Sequence, residues 1–325
     1  MEQKKQRMQE LVQLLNQAGK AYYQDAKEIM SNHEYDRLYD ELLVLEQELG
    51  ITMANSPTVN VGYEVLSELP KERHEKPMLS LDKTKETDRL KEFVGEKKAV
   101  ISWKLDGLTI VLTYENGELK KAVTRGNGEV GEVITNNAKV FQNVPLRIAY
   151  RGELILRGEA VIGYRDFEKI NEEIEDVDAK YKNPRNLCSG SVRQLNNEIT
   201  ARRNVQFYAF SLVKADGVDF QNSRNIQFEW LKEQGFDVVE YRTVTASTLD
   251  EAMEYFQLRS LRMIFRRTDW LLFMMILHTE IPLEEQRNFP EMLLHSNADE
   301  IRETHLLEIE WSPSRTGLIN PVAVF

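Results

Sequence analysis

The hydrophobic period changes once along the chain, and that change limits the fold to two unlike parts. Over residues 2–24 the apolar side chains Met8, Leu11, Val12, Leu15, Ala18 and Tyr22 recur three or four apart, the spacing of one face of an α-helix. Ser31 followed by Glu34 is a capping box. It opens a second helix through Tyr35, Leu38, Tyr39, Leu42, Leu45 and Leu49, which Gly50 closes. Two amphipathic helices in succession predict a helical hairpin ending at the loop around Ser56-Pro57. From residue 98 the pattern turns to short β-rich runs: Val100–Trp103, Thr109–Tyr114, Leu119–Thr124, Leu154–Leu156, Ala160–Ile162, Val205–Val213 and Val238–Arg242. Asn116-Gly117 favours a tight hairpin turn between the second and third of these. Helices are expected near Asp166–Glu173 and from Ser223 to Gly235. Strands in hairpins mixed with helices predict an α+β fold, not a doubly wound parallel sheet.

Composition narrows the class further. With 42% apolar and 29% charged residues, the 325-residue chain has material for a core and is not a disordered polymer. The single cysteine, Cys188, excludes an internal disulfide and a cysteine-based zinc site. The five histidines show no ligand spacing, so no protein metal site is expected. The first residues, MEQKKQRMQE, are too polar for a signal peptide. The longest apolar run, Trp270–Leu277, falls far short of the roughly 20 residues a membrane span needs. The expectation is a cytoplasmic protein, with no membrane partner. A net charge of −11 weighs against bulk coating of nucleic acid, although local basic patches can still hold phosphates. One such patch lies in residues 179–203, where Lys180, Lys182, Arg185, Arg193, Arg202 and Arg203 face only Glu198. It reads either as a solvated face or, interleaved with Asn, Gly and Ser, as a phosphate cradle. The tyrosines Tyr22, Tyr23, Tyr35 and Tyr39 likewise leave core packing open.

Chemistry concentrates at Lys104-Leu105-Asp106-Gly107. A lysine closing an apolar strand (Ile101, Trp103) can be partly desolvated and so available as a nucleophile. An aspartate two residues on projects from the same side and can orient the amine or a sugar hydroxyl. Glycine lets the chain turn close to a ligand. Alone, four residues are a weak signal, and an exposed strand-end lysine satisfies them equally.

The motif has company. K-x-D-G is followed by T-R-G-N-G (124–128), R-G-E (157–159) and N-P-R-N-x-x-x-G-S-x-R-Q-L (183–195). This series resembles the NAD-dependent bacterial DNA ligases. The stretch AYYQDAKEIMSNHEYDRLYDELLVLE is similar to the helical NMN-binding module of that class, and HLLEIEWSPSRTGLINPVAVF to the entry of its oligonucleotide-binding barrel. The resemblance implies an NMN-binding module at 1–66, an adenylation (nucleotidyltransferase) domain of antiparallel sheets and helices at 67–305, and the start of a truncated barrel at 306–325. It implies that Lys104 attacks the α-phosphate of NAD, releases nicotinamide mononucleotide and carries AMP as a phosphoramidate, with Asp106, Arg125 and Glu159 around ribose and phosphate. Ser80 and Leu81 would line the adenosine site. Tyr22, Tyr23, Tyr35 and Asp36 would hold the nicotinamide half, with Asn32 where the family often has aspartate. Arg185, Arg193 and Arg203 would approach phosphates of nucleotide or nicked double-stranded DNA. Magnesium would offset developing charge, and the chain would act as a monomer. Ser102 stands where the family commonly has a glutamate facing adenine. RNA ligases and mRNA-capping enzymes share K-x-D-G, so a nucleotidyltransferase acting on another substrate is one alternative. A catalytically inert remnant that binds NAD or an adenylate is the other.

Residues 262–297 break the series. The family has a strand with D-G-L-V and a stretch ending near P-R-x-A-I-A-F-K, whose lysine meets the AMP phosphate. Here the sequence is instead rich in methionine, with four of the chain's ten (Met263, Met274, Met275, Met292). Back-translated with free synonym choice and read one base earlier, this segment can give DDLPSDGLV and then AVYDDFTYRDTLGGTAKFPRNAIAFK. The expectation is an out-of-frame segment that packs badly, although Trp270–Leu277 can bury as an apolar strand or helix. Weak or absent self-adenylylation follows, and poor nick sealing without the remaining domains.

Overall fold

The computed structural model describes residues 2–24, 29–59, 68–75, 82–84, 86–176, 179–266, 272–279, 292–295, 308–313 and 319–324. The chain opens with α1 (Glu2–Gln24), α2 (Asn32–Leu49), β1 (Thr52–Met53), β2 (Lys71–Arg73), β3 (Asp82–Thr84) and α3 (Thr87–Val94). Then come β4 (Ala99–Leu105), β5 (Leu108–Glu115), β6 (Glu118–Thr124), β7 (Val130–Glu132), α4 (Thr135–Ala138) and β8 (Pro145–Arg147). The middle holds β9 (Leu154–Val161), α5 (Tyr164–Glu172), α6 (Pro184–Val192), α7 (Asn197–Arg202), β10 (Gln206–Ala215) and α8 (Arg224–Glu233). Last are β11 (Tyr241–Val244), α9 (Leu249–Arg266), β12 (Leu272–Thr279), β13 (Met292–His295), β14 (Glu308–Pro313) and β15 (Ile319–Val324). The mixed helix-and-sheet composition agrees with the expected α+β class.

The helical hairpin forms as its apolar spacing dictates. Met8, Leu11, Val12 and Leu15 of α1 bury against Leu38, Leu42 and Leu45 of α2, with Tyr35 and Tyr39 half-buried at the edge. Ser31 caps α2, its Oγ accepting from the Glu34 N–H at 3.2 Å, and Gly50 ends it at φ 65°. A two-pronged ion pair, Arg7 to Glu41 at 2.8 and 3.1 Å, spans the two helices. Leu42 is fully buried, so Leu42→Ala is expected to cost about 2–5 kcal/mol, the range for emptying a core leucine site, read as a lower urea midpoint.

Two larger sheets follow. The six-stranded sheet has the order β1-β8-β6-β5-β9-β10, and the five-stranded sheet β11-β4-β12-β13-β3. The hairpin is tied to the first of them through β1, which pairs antiparallel with β8. Asn116 and Gly117 take φ 53° and 81° between β5 and β6, the twist a two-residue hairpin turn needs. Ile110, Leu112, Tyr114, Leu154, Leu156, Phe207, Phe228 and Phe256 belong to one buried core beneath these elements.

Three features differ from the sequence reading. Arg157-Gly158-Glu159 does not separate two strands: β9 runs through it without a break, paired on both sides by β5 and β10. Residues 184–192, to which the sequence assigns no element, form α6, with Asn183 Oδ1 accepting from the Asn186 N–H at 2.8 Å and Pro184 in the first turn. Helix α9 was not anticipated at all. Within residues 262–297 the backbone of Leu272–Thr279 is a strand lying between β4 and β13, so of the two forms allowed to the apolar run it takes the strand. The packing expected of that segment's side chains lies outside the described residues, as do the domain boundaries at 66/67 and 305/306. The chain divides into two compact units, Met1–His295 and Ser296–Phe325, and the second contains the antiparallel pair β14-β15. No described helix is long and apolar enough to cross a membrane.

Candidate active site

Lys104 is the next-to-last residue of β4, which lies between β11 and β12 in the five-stranded sheet. Asp106 and Gly107 then carry the chain into β5 of the other sheet. The lysine therefore sits where the backbone crosses between sheets, half-buried on a strand otherwise buried along its length. The crossing is tight. A Cβ on Gly107 would lie 2.0 Å from the carbonyl oxygen of Ala160 and 2.7 Å from Val161 Cγ1, so only glycine lets the turn pass this close to β9.

Glu159 of β9 closes the turn from below. Its Oε1 accepts from the Gly107 N–H at 3.1 Å and its Oε2 from the Thr109 hydroxyl at 2.8 Å. Thr109 and Glu159 are cross-strand partners in the β5–β9 register. The carboxyl is buried, and burial pushes its pKa up to about 6. The charge of Lys104, the hydrogen bonds from Thr109 and Gly107, and the charge of Arg185 oppose that rise only in part. Arg125 joins through the backbone, its N–H donating to the Thr109 carbonyl at 2.9 Å.

Arg185, in the first turn of α6, reaches Asp106 at 2.7 Å. Both side chains are more than a third exposed, so the pair is worth about 1 kcal/mol or less and opens readily for a competing phosphate. The structure thus brings Lys104, Asp106, Arg125, Glu159 and Arg185 together. Arg193 and Arg203 are engaged otherwise. Arg193 pairs with Glu132 of β7 and the Ser189 hydroxyl. Arg203 donates to Tyr181 Oη at 3.2 Å and Ser191 Oγ at 3.1 Å, with its guanidinium 5.5 Å from the Tyr181 ring centre.

On the hairpin, Tyr35 stacks on Tyr39 at 6.3 Å, and Asp36 is exposed beside it. The side chains of Tyr22, Tyr23 and Asn32, and all of Ser80 and Leu81, lie outside the described residues. Sequence reasoning missed Thr109, a polar β-branched residue opening an apolar strand straight after the glycine. It also missed Tyr164, whose hydroxyl pKa is raised by burial and by the nearby Asp106 charge. Among the described residues no group of three or more His, Cys, Asp or Glu could hold a metal ion.

Residues 66–266 match the family described as NAD-dependent DNA ligase adenylation domain. Residues 1–62 match the DNA ligase-like, N-terminal NAD+-binding domain. The chain belongs to the NAD-dependent DNA ligases. A DNA ligase of Ruminiclostridium cellulolyticum is 59% identical to this ligase chain over 326 aligned positions, covering 100% of it and 50% of the relative. A DNA ligase of Lachnoclostridium phytofermentans is 60% identical with the same coverage. One from Alkaliphilus oremlandii is 34% identical over 98% of this chain and 50% of its own length. The chain spans about half the length of these curated relatives.

Proposed function

We propose that this chain performs the first step of ligation. Lys104 Nζ attacks the α-phosphate of NAD, a P–N bond forms, the pyrophosphate P–O bond breaks, and nicotinamide mononucleotide leaves. The AMP carried on Lys104 then serves to seal nicked double-stranded DNA. The observation that carries this reading is the Lys104–Gly107 crossing, held from below by Glu159 and flanked by Asp106, Arg125 and Arg185. The amine sits at a strand end, Arg185 supplies positive charge beside it for phosphate oxygens, and Arg125, tied to Thr109 through its backbone, would add a second cation. Asp106 is free to turn from Arg185 to a ribose hydroxyl once phosphate takes the arginine. Arg193 and Arg203, already committed within the protein, would serve by holding α6 and α7 in place or by exchanging partners on nicked DNA. Ser80 and Leu81 would line the adenosine side.

The donor set around Lys104 suits a nucleotide phosphate. Magnesium, when bound on the substrate's phosphates, would supply further charge neutralisation there. Residues 1–66 would hold the nicotinamide half through Tyr22, Tyr23, Asn32, Tyr35 and Asp36. Residues 67–305 would be the adenylation domain and 306–325 the start of the barrel. A cytoplasmic monomer fits this reading.

We also propose that residues 262–297 are translated out of frame. The adenylation-domain match stops at residue 266, just inside the segment, whereas the 59% identity extends over the whole chain in 326 positions. That combination suits a replaced stretch of equal length. The strand it places beside β4 sets Met274 opposite Lys104 in register. Losing one placed cation at the reacting phosphate typically costs about 10²–10³ in rate, so adenylylation should be slow. Sequencing the coding DNA tests the frame. An intact frame with the same peptide in genes of near relatives would contradict it.

The function itself is tested with Tyr35→Ala. Loss of one aromatic stacking platform, worth about 1–3 kcal/mol, should lower NAD-driven labelling about 10- to 100-fold and spare sealing of DNA that is already adenylated. Equal loss of both reactions, or equal use of ATP by the unaltered chain, would contradict the assignment.

A further inference from the structure

Behind the strand that carries Lys104, Glu240 gathers donors from two elements, and no step above uses it. Its Oε2 accepts from Trp103 Nε1 at 3.1 Å and from Arg259 Nε at 2.9 Å, and its Oε1 from the Tyr255 hydroxyl at 2.8 Å. Its backbone carbonyl also accepts from the Trp103 N–H at 3.2 Å. Trp103 is therefore held twice by one residue, once through the backbone and once through the indole. Its ring meets Phe256 edge-on at 4.6 Å and 81°, and Tyr255, Phe256 and Arg259 all belong to α9. The Arg242 guanidinium lies 3.4 Å from the Tyr255 ring centre, adding a cation–π contact to the same cluster.

The register explains why this cluster bears on the nucleophile. Pairing of β11 with β4 ends at Tyr241↔Ser102, two residues short of Lys104. Beyond that point Glu240 continues the β11 side of the contact, through Trp103. Neighbouring residues on a strand face opposite ways, so fixing the indole in the core fixes the direction in which Lys104 leaves the sheet. An in-line attack tolerates little error: a displacement of about 1 Å far from the chemistry can cost about 10²-fold.

We propose that Glu240 is a positioning residue for Lys104, acting through Trp103 and helix α9; this rests on the adenylylation reading of Lys104. The test uses the full chain in two assays. Acetic anhydride labelling of Lys104 is followed across pH by mass spectrometry, with the exposed Lys97 as internal reference, and NAD-driven labelling is resolved into kcat and KM. Glu240→Ala should shift the Lys104 acetylation profile against Lys97 and lower kcat about 10²-fold with KM for NAD unchanged. Glu240→Gln, which keeps one acceptor for the indole, should restore kcat to within about tenfold, the scale of one hydrogen bond. Trp103→Phe keeps a smaller aromatic ring and deletes the donor, and it should move the same two readouts if the alanine variant does not fold. An unchanged Lys104 profile and kcat in the folded variants would overturn the proposal, as would a rise in KM alone. Absence of NAD labelling in the unaltered chain would fail the adenylylation reading, while the acetylation profile would still decide the positioning role.

Discussion

Gly107→Ala is expected to lower NAD-dependent labelling of Lys104 by about 10²-fold or more in a chain that still folds. The new methyl would fall 2.0 Å from the Ala160 carbonyl oxygen and 3.0 Å from the Ala160 carbonyl carbon. Both are backbone atoms of the central strand β9, which β5 and β10 hold from either side. A flexible side chain could rotate away, but this backbone cannot, so the turn itself must move. The cost in stability is about 1–3 kcal/mol, as for other overpacked sites. The movement is transmitted to Lys104, three residues earlier, and it breaks the Gly107 N–H bond to Glu159. Labelling rate beside a circular dichroism spectrum separates the two effects. A folded variant with unaltered labelling would show that the crossing does not position the amine.

The second large effect concerns Glu159 and pH. Its folded pKa, about 6, lies above the ordinary 4.5 of a glutamate, so between these values the folded state binds more protons than the unfolded one. Stability from this group is therefore greatest below about pH 4.5 and is lost as pH rises through about 6. The loss amounts to about 2 kcal/mol for a shift of this size. Glu159→Gln removes the titration while keeping an acceptor for the Gly107 N–H. Urea unfolding of both forms should show Gln gaining on the parent as pH rises from 4.5 to 7, with a flat difference above. Glu159→Ala instead leaves the buried Gly107 N–H without its acceptor, at about 1–3 kcal/mol, and strips the half-buried Thr109 hydroxyl of its partner, so it should be destabilised at every pH. A parent–Gln difference that does not change with pH would contradict the burial argument.

Much of this was legible because it is local. Ser31 and Gly50 bracket α2 as their capping chemistry requires, and Asn116-Gly117 forms the turn its φ preferences favour. Lys104, Asp106, Arg125 and Glu159 were each visible as parts of short motifs. What the sequence hid depends on partners far along the chain. Arg157-Gly158-Glu159 looks like a polar break, yet β5 and β10 flank it and give each charged side chain a place within a continuous strand. The helix at 184–192 did carry its signal, Asn183 before Pro184, but the glycine and serines that follow masked it. Thr109 owes its role to the β5–β9 register, and Glu240 to a contact across 137 residues. No periodicity in a single sequence reports such contacts.

The most direct test is the intact mass of the purified chain after incubation with NAD and magnesium, beside a Lys104→Ala control, followed by peptide mapping. The account predicts a slow AMP-sized gain located on the peptide containing Lys104 and missing from the control. A gain that survives Lys104→Ala, or one that ATP supports as well as NAD does, would contradict it.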